Sequence, residues 1–260
     1  MQPDDETRYR DTIEQMCTAA RLTCLQKIER RTRFTRKADT SPVTELDREI
    51  ELTLREIVRT RHPDDAIRGE EYGLSNHSDG DKSKRICWVI DPLDGTRAFI
   101  TGSPLWGTLV GVLNHGKPWL GAIELPMLRK RMLSWTARAA PAPFGPSSLA
   151  HASMATTTPD KLSEPHRRAF HRLRDAVGTH RYGGDCFNYA ALASGNCDLV
   201  VEAGLAPHDF LPIVPIIEAV GGSITDWQGR ALGESSPGDV LAAANPALHA
   251  AALGLLSTES

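Results

Sequence analysis

Residues 86–96 read Ile86-Cys87-Trp88-Val89-Ile90-Asp91-Pro92-Leu93-Asp94-Gly95-Thr96. The apolar opening predicts a buried strand. That strand delivers two carboxylates, Asp91 and Asp94, into a turn shaped by Pro92 and Gly95. Proline fixes its own dihedral and lacks an amide hydrogen, while glycine allows close backbone approach, so the turn has a set form. Two acids crowded at a strand end repel one another unless a cation sits between them. Oxygen ligands at a tight turn suit Mg²⁺, which fills its remaining positions with waters or substrate phosphate. Asp-Pro and Asp-Gly are also ordinary turn dipeptides, so this stretch alone leaves plain loop chemistry open.

Upstream, Ala66–Gly73 predicts a short strand ending in the adjacent acids Glu70 and Glu71. Neighbours on an extended chain face opposite ways, so one of the two faces a metal and the other supports it from behind. A helix is expected to open at Thr44, where Thr44 and Asp47 have capping-box spacing, with Leu46, Ile50, Leu54, Ile57 and Val58 on its core face. Asp47 is then either a first-turn acid complementing the helix dipole or an acid aimed at the same site as Asp91 and Asp94. Residues 6–31 carry Tyr9, Ile13, Met16, Cys17, Ala20, Cys24 and Ile28 mostly three or four apart, the pattern of a scaffold helix. Residues 32–42 and 75–85 read as exposed loops.

Downstream, Arg97–Gly102 predicts a single helical turn whose free amides suit phosphate. Leu105–Leu113, Trp119–Leu125 and Arg131–Trp135 predict antiparallel strands, with a hairpin turn at Asn114–Lys117. Alanine and proline gather over Ala139–Pro146 and place a boundary there: an α+β half over residues 1–140 and an α/β half over 141–260. In the second half, helices are expected at about 160–177, 186–195, 209–220 and from 246, with strands Asp198–Glu202, Gly222–Asp226 and Val240–Ala243. Asp209 precedes the apolar run Phe210–Val220 and reads as its N-cap, a role compatible with metal ligation because a carboxylate has two oxygens.

The 260 residues suffice for one large or two smaller cores. A net charge of −3 gives no reason to expect nucleic acid or an anionic membrane as partner. The start lacks the basic and apolar regions of a signal peptide, and no run approaches the roughly 18 apolar residues that span a bilayer. Five cysteines without CxxC spacing argue against a zinc cluster or disulfide framework, and a reducing cytoplasm is expected.

Glu70, Asp91, Asp94 and Asp209 each end a predicted element, so all can meet at one cleft edge. Oxygen ligands without neighbouring Cys or His argue for Mg²⁺ or Mn²⁺ over zinc. A loop with free amides beside such ions suits a phosphomonoester hydrolysed by in-line displacement, with Thr96 and Asp47 orienting the water and accepting its proton.

These segments, Gly69-Glu70-Glu71, residues 88–96 and the Asp209 region, resemble the inositol monophosphatase-like family of Mg²⁺-dependent, lithium-sensitive phosphatases. Further matches are Lys37-x-Asp39-x-Ser41-Pro42-Val43-Thr44-x-x-Asp47 and Ala219-Val220-Gly221-Gly222. The resemblance implies a layered αβαβα fold, commonly dimeric, and two or three Mg²⁺ ions. It implies that Glu70, Asp91, Asp94 and the Leu93 carbonyl hold metal, that Asp209 holds the second metal, and that Gly95 and Thr96 amides cradle phosphate. Glu70, Asp47 and Thr96 form the implied catalytic set.

Within the family, Leu105-Trp106-Gly107-Thr108-Leu109, Gly183-Gly184-Asp185-Cys186-Phe187-x-Tyr189 and Thr225-Asp226-Trp227-x-Gly229 resemble its histidinol-phosphate phosphatases. Histidinol phosphate carries a primary ammonium that wants a carboxylate partner, a role open to Asp185, with Glu202 and Asp209 on the substrate side. Asp185 reads equally well as a cap for the helix at 186–195. Inositol 1-phosphate or another small sugar or nucleotide phosphate is the alternative substrate, and a catalytically silent ligand-binding member is the alternative of another class. His208 stands where the family usually has an aromatic residue, and it reads as support for the metal site more than as a ligand. Aspartyl-phosphate chemistry of the haloacid dehalogenase type is disfavoured, because it needs acids at i and i+2 and these are at i and i+3.

Overall fold

The computed structural model of the chain describes residues 3–36, 42–75, 86–137, 145–160 and 162–257. Helix α1 (Pro3–Gln26) and a 3-10 turn at Ile28–Thr32 lead into an antiparallel pair, β1 (Phe34–Arg36) and β2 (Pro42–Thr44). The loop expected over 32–42 is therefore strand at both edges, while Lys37, Asp39 and Ser41 of the quoted motif lie outside the described residues. Helix α2 (Glu45–Arg61) opens as its spacing implies. The Thr44 hydroxyl accepts from the Asp47 amide, and Asp47 Oδ2 accepts from the Thr44 amide at 2.9 Å.

Strand β3 (Ala66–Gly69) stops one residue before Glu70, and residues 70–72 turn into β4 (Gly73–Ser75). Glu70 and Glu71 thus sit in a turn and not on the expected strand, so alternation along an extended chain is not what separates their roles. Strands β5 (Ile86–Asp94), β6 (Gly107–Asn114), β7 (Lys117–Leu125) and β8 (Lys130–Leu133) complete a six-stranded sheet of order β4-β3-β5-β6-β7-β8, with α3 (Thr96–Thr101) following β5. The β6–β7 turn uses His115 and Gly116 at φ 51° and 73°, the left-handed pair that a two-residue hairpin needs.

The second sheet has the order β10-β9-β11-β13-β12. Its elements, in sequence, are β9 (Ser153–Thr156), α4 (Glu164–Ala176), β10 (Thr179–Tyr182), α5 (Cys186–Ala193) and β11 (Leu199–Glu202). Then come α6 (Pro207–Phe210), α7 (Val214–Ala219), β12 (Ser223–Thr225), β13 (Val240–Ala243) and α8 (Pro246–Leu256). The single helix expected over 209–220 is two. Pro212 falls in the break and Pro215 in the first turn of α7, where a missing amide hydrogen is tolerated. Asp209 lies inside α6, whose cap position is Ala206, so the N-cap expectation for it is corrected.

Side-chain alternation builds the layers. On β5, Trp88 and Ile90 pack with Ile13, Cys17, Ile50 and Leu54 of α1 and α2, whereas Val89 faces the other way, toward Tyr189, Phe210 and Ile217. On β11, Val200 joins that middle core, and Leu199 and Val201 pack with Phe170, Leu173 and Leu248 of α4 and α8. The result is α1 and α2, a sheet, α5 to α7, a sheet, then α4 and α8: αβαβα. Each fully buried aliphatic or aromatic side chain contributes roughly 1.5–3 kcal/mol, which holds the strand ends in place for the site. The boundary expected near Ala139–Pro146 falls largely on residues 138–144, outside the described residues, and the middle core draws on both halves. Among the described residues no helix is long and apolar enough to cross a membrane.

Candidate active site

On a regular strand, residues three apart face opposite sides of the sheet. Between Asp91 and Asp94 the pairing slips, from Asp91 opposite Leu109 to Asp94 opposite Gly107, which leaves one extra residue on β5. This is a bulge, and it re-aims the second acid. The expected turn at 91–94 is therefore a bulged strand end. Pro92, unable to donate to a ladder, sits in the bulge, where its carbonyl accepts from Thr108 Oγ1 at 2.9 Å. The Leu93 amide turns back to Asp91 Oδ1 at 3.0 Å. The strand ends at Asp94, and Gly95, at a left-handed φ of 86°, starts α3.

Four acids from distant segments then meet. One oxygen each from Asp91, Asp94 and Asp209 lie within 4.8 Å of one another, and so do oxygens of Glu70 and Asp91 with a ring nitrogen of His208. Asp91 belongs to both groups. Burial, followed by repulsion from Glu70, pushes the Asp91 carboxyl well above its ordinary range. Burial, then Asp185, does the same to Asp94. Asp209 is raised by burial, although His208 and the Ala206 amide, which donates to Oδ2 at 2.7 Å, favour its anion. Carboxylates packed together out of water stay ionised only beside a cation, so this donor set fits divalent metal.

Asp47 makes the capping contact and a second one toward Thr96. Its Oδ2 caps α2, and its Oδ1 faces the Thr96 hydroxyl at 3.2 Å. That hydroxyl also lies 3.1 Å from the Leu93 carbonyl, and with one proton it donates to one of them at a time. Burial raises the Asp47 carboxyl.

A cleft of about 840 Å³ opens over these groups, lined in part by Glu70, Asp94, Gly95, Thr96 and Asp209 and in part by Asp185, Tyr189 and Glu202. Asp185 occupies the N-cap position of α5 but makes no side-chain cap bond, so it is not the cap that its position suggested. Its φ is 45°, a conformation in which a side chain with a Cβ is strained. Glu202 Oε1 accepts from the Thr157 amide at 2.7 Å and hydroxyl at 2.9 Å. Burial nevertheless pushes its carboxyl up to about 7 from 4.5.

The sign follows. A carboxyl held above its unfolded value contributes stability below pH 4.5 that is lost as pH rises through about 7. Glu202→Gln is therefore expected to gain on wild type across that window, by about 3 kcal/mol in urea unfolding. Reading the difference matters, because buried His62, lowered to about 4, imposes an opposite slope on both proteins. A constant offset between the two would show that Glu202 titrates normally.

Two features were given no role from the sequence. Tyr189, quoted there only as part of a motif, lines the cleft with a buried hydroxyl that has no hydrogen-bond partner among the described residues. Its spacing of four from Asp185 was the available signal. The second is a buried pair on α2, Glu51 and Arg55, with Nε to Oε1 at 2.7 Å. Glu51 accepts from the Glu71 amide at 2.7 Å and the Tyr72 amide at 3.2 Å, while Arg55 donates to the Gly73 carbonyl and Ser75 hydroxyl. Together they pin the turn that carries Glu70.

An αβαβα stack with oxygen donors converging at its central strand end, above a cleft sized for a small ester, defines a metal-dependent hydrolase. The chain belongs to the inositol monophosphatase family, which it matches over residues 7–259, and is a phosphoric monoester hydrolase. It is 42% identical over 230 residues to the chloroplastic bifunctional phosphatase IMPL2 of Arabidopsis thaliana, covering 84% of this chain and 66% of that protein. A histidinol-phosphatase of Chlorobaculum parvum is 33% identical over 201 residues, covering 75% of this chain and 76% of that one. Among solved structures, an inositol monophosphatase from Zymomonas mobilis superposes with a TM-score of 0.81 at 31% identity, over 99% of this chain and 100% of that chain.

Proposed function

We propose that the protein is a Mg²⁺-dependent phosphatase of L-histidinol phosphate, releasing histidinol and inorganic phosphate in histidine biosynthesis. Glu70, Asp91, Asp94, Asp209 and the Leu93 carbonyl hold two or three divalent ions, with Mn²⁺ able to replace Mg²⁺. Once bound, such ions acidify water and neutralise charge on the leaving oxygen. Thr96 and Asp47, with Glu70 beside them, orient the attacking water and take its proton through the Oγ1–Oδ1 contact. The Gly95 and Thr96 amides cradle phosphate where the left-handed glycine opens α3.

The observation that carries the substrate reading is the pair of carboxylates, Asp185 and Glu202, on the cleft wall beside the metal acids. A neutral polyol can donate hydroxyls to such acids, but only a cationic substrate adds charge pairing to the hydrogen bond. A primary ammonium and an imidazole bring that charge, and the Tyr189 hydroxyl adds one more polar contact. The second reading, inositol 1-phosphate, is favoured by the full-length likeness to the Zymomonas inositol monophosphatase.

A panel of histidinol phosphate, inositol 1-phosphate, fructose 1,6-bisphosphate and adenosine 3′,5′-bisphosphate, assayed with and without Mg²⁺, decides among them. Highest kcat/KM on histidinol phosphate is expected, and no turnover of any ester by folded protein would leave the silent reading. Asp185→Ala is expected to lose about 10- to 100-fold in kcat/KM on histidinol phosphate and far less on the neutral esters. An equal loss on all of them would take Asp185 out of recognition. The same reading includes a cytoplasmic location and a homodimer, and a monomer mass in light scattering would remove the homodimer.

A further inference from the structure

Among the described residues, His208 supplies the one ring nitrogen gathered with the acids, within 4.8 Å of oxygens from Glu70 and Asp91. Donors around one ion at about 2.0–2.2 Å lie roughly 3 to 4.4 Å apart, so this trio needs little movement to share an ion. The competing use of the ring is an ion pair with its neighbour, Asp209. That contact is 3.5 Å from Nε2 to Oδ1, longer than a hydrogen bond, and does not hold the ring away from the acids. The side chain is 19% exposed, so the ring is largely shielded from solvent beside the acids.

We propose that His208 donates a ring nitrogen to the cation position of Glu70 and Asp91, and so shifts that position from Mg²⁺ toward Mn²⁺ and the heavier divalent ions. Imidazole suits transition metals, whereas Mg²⁺ favours an all-oxygen set. The second position, formed by Asp91, Asp94 and Asp209, keeps oxygen donors alone. The two positions of one site then differ in the ion they prefer. This inference rests on the metal reading of the proposed function.

The test is electron spin-echo envelope modulation on the full untagged chain, stripped of metal and loaded with less than one equivalent of Mn²⁺. Wild type is expected to show ¹⁴N coupling from a coordinated imidazole. His208→Phe is expected to lose that coupling and to bind Mn²⁺ about tenfold less tightly relative to Mg²⁺ in a competition titration. His208→Gln, which keeps a polar side chain, is the second variant, and the wild-type spectrum stands whether or not either variant folds. Mn²⁺ bound without nitrogen coupling in wild type, or coupling that persists in a folded variant, overturns the role of His208 alone. Wild type that binds no Mn²⁺ overturns both it and the metal reading beneath it.

Discussion

Asp91→Asn is expected to lower turnover by at least about a thousandfold while the protein still folds. Asp91 is 2% exposed, and its oxygens belong to both donor groups, so one substitution weakens both cation positions. Several kcal/mol of transition-state stabilisation by bound metal translate into a loss of that size. Folding should survive for two reasons. Asparagine keeps an oxygen for the Leu93 amide, which lies 3.0 Å from Oδ1. Burial and Glu70 already favour the neutral carboxyl in the metal-free protein, so a neutral amide adds no buried charge. The checks are phosphate release and melting with and without Mg²⁺. Wild type should melt higher with Mg²⁺ and the variant should not, because only the folded state with intact ligands gains from the ion. Near-normal turnover in the variant would remove Asp91 from the metal site.

The chemistry of the site was legible before its geometry. Asp91, Asp94 and Asp209 stand out because Pro92, Gly95 and Pro207 flank them, and residues that break regular structure mark element ends. That the first two face one way was not legible. It depends on a bulge set by pairing with β6, and the partner strand lies outside any local window. The capping box at Thr44 was readable because it is local, whereas the pairing of Asp47 with Thr96 came from the expected chemistry, since a contact across 49 residues leaves no local pattern. Strand β10 gave no alternation to find, since all four of its residues are exposed. Strand β9, four residues long, is defined mainly by the parallel neighbours it lies between. The cleft wall had two pointers, Asp185 and Glu202, with Tyr189 a turn beyond the first. Glu51 and Arg55 left the weakest trace, because an i, i+4 pair of opposite charge on a helix is ordinarily a solvated surface pair.

That pair carries the other large effect. Glu51→Ala is expected to destabilise the protein by about 3–5 kcal/mol, because it strips the partner from a guanidinium that is 1% exposed. The loss extends to backbone, since the amides of Glu71 and Tyr72 both end on this carboxylate. Gly69 shows how tightly the turn is drawn in: a Cβ there would stand 2.0 Å from Glu51 Oε1. With the carboxylate gone, the turn bearing Glu70 relaxes, and Mg²⁺ affinity should fall about tenfold in the variant that remains folded. Urea unfolding and a Mg²⁺ titration read the two effects separately. The double variant Glu51→Ala/Arg55→Leu distinguishes charge from scaffold. Removing both charges should recover much of the stability, because no unpaired ion is left buried, yet leave Mg²⁺ binding weak, because nothing replaces the acceptor for the turn amides. Stability within about 1 kcal/mol of wild type in Glu51→Ala would mean that water reaches Arg55 and that the turn holds itself.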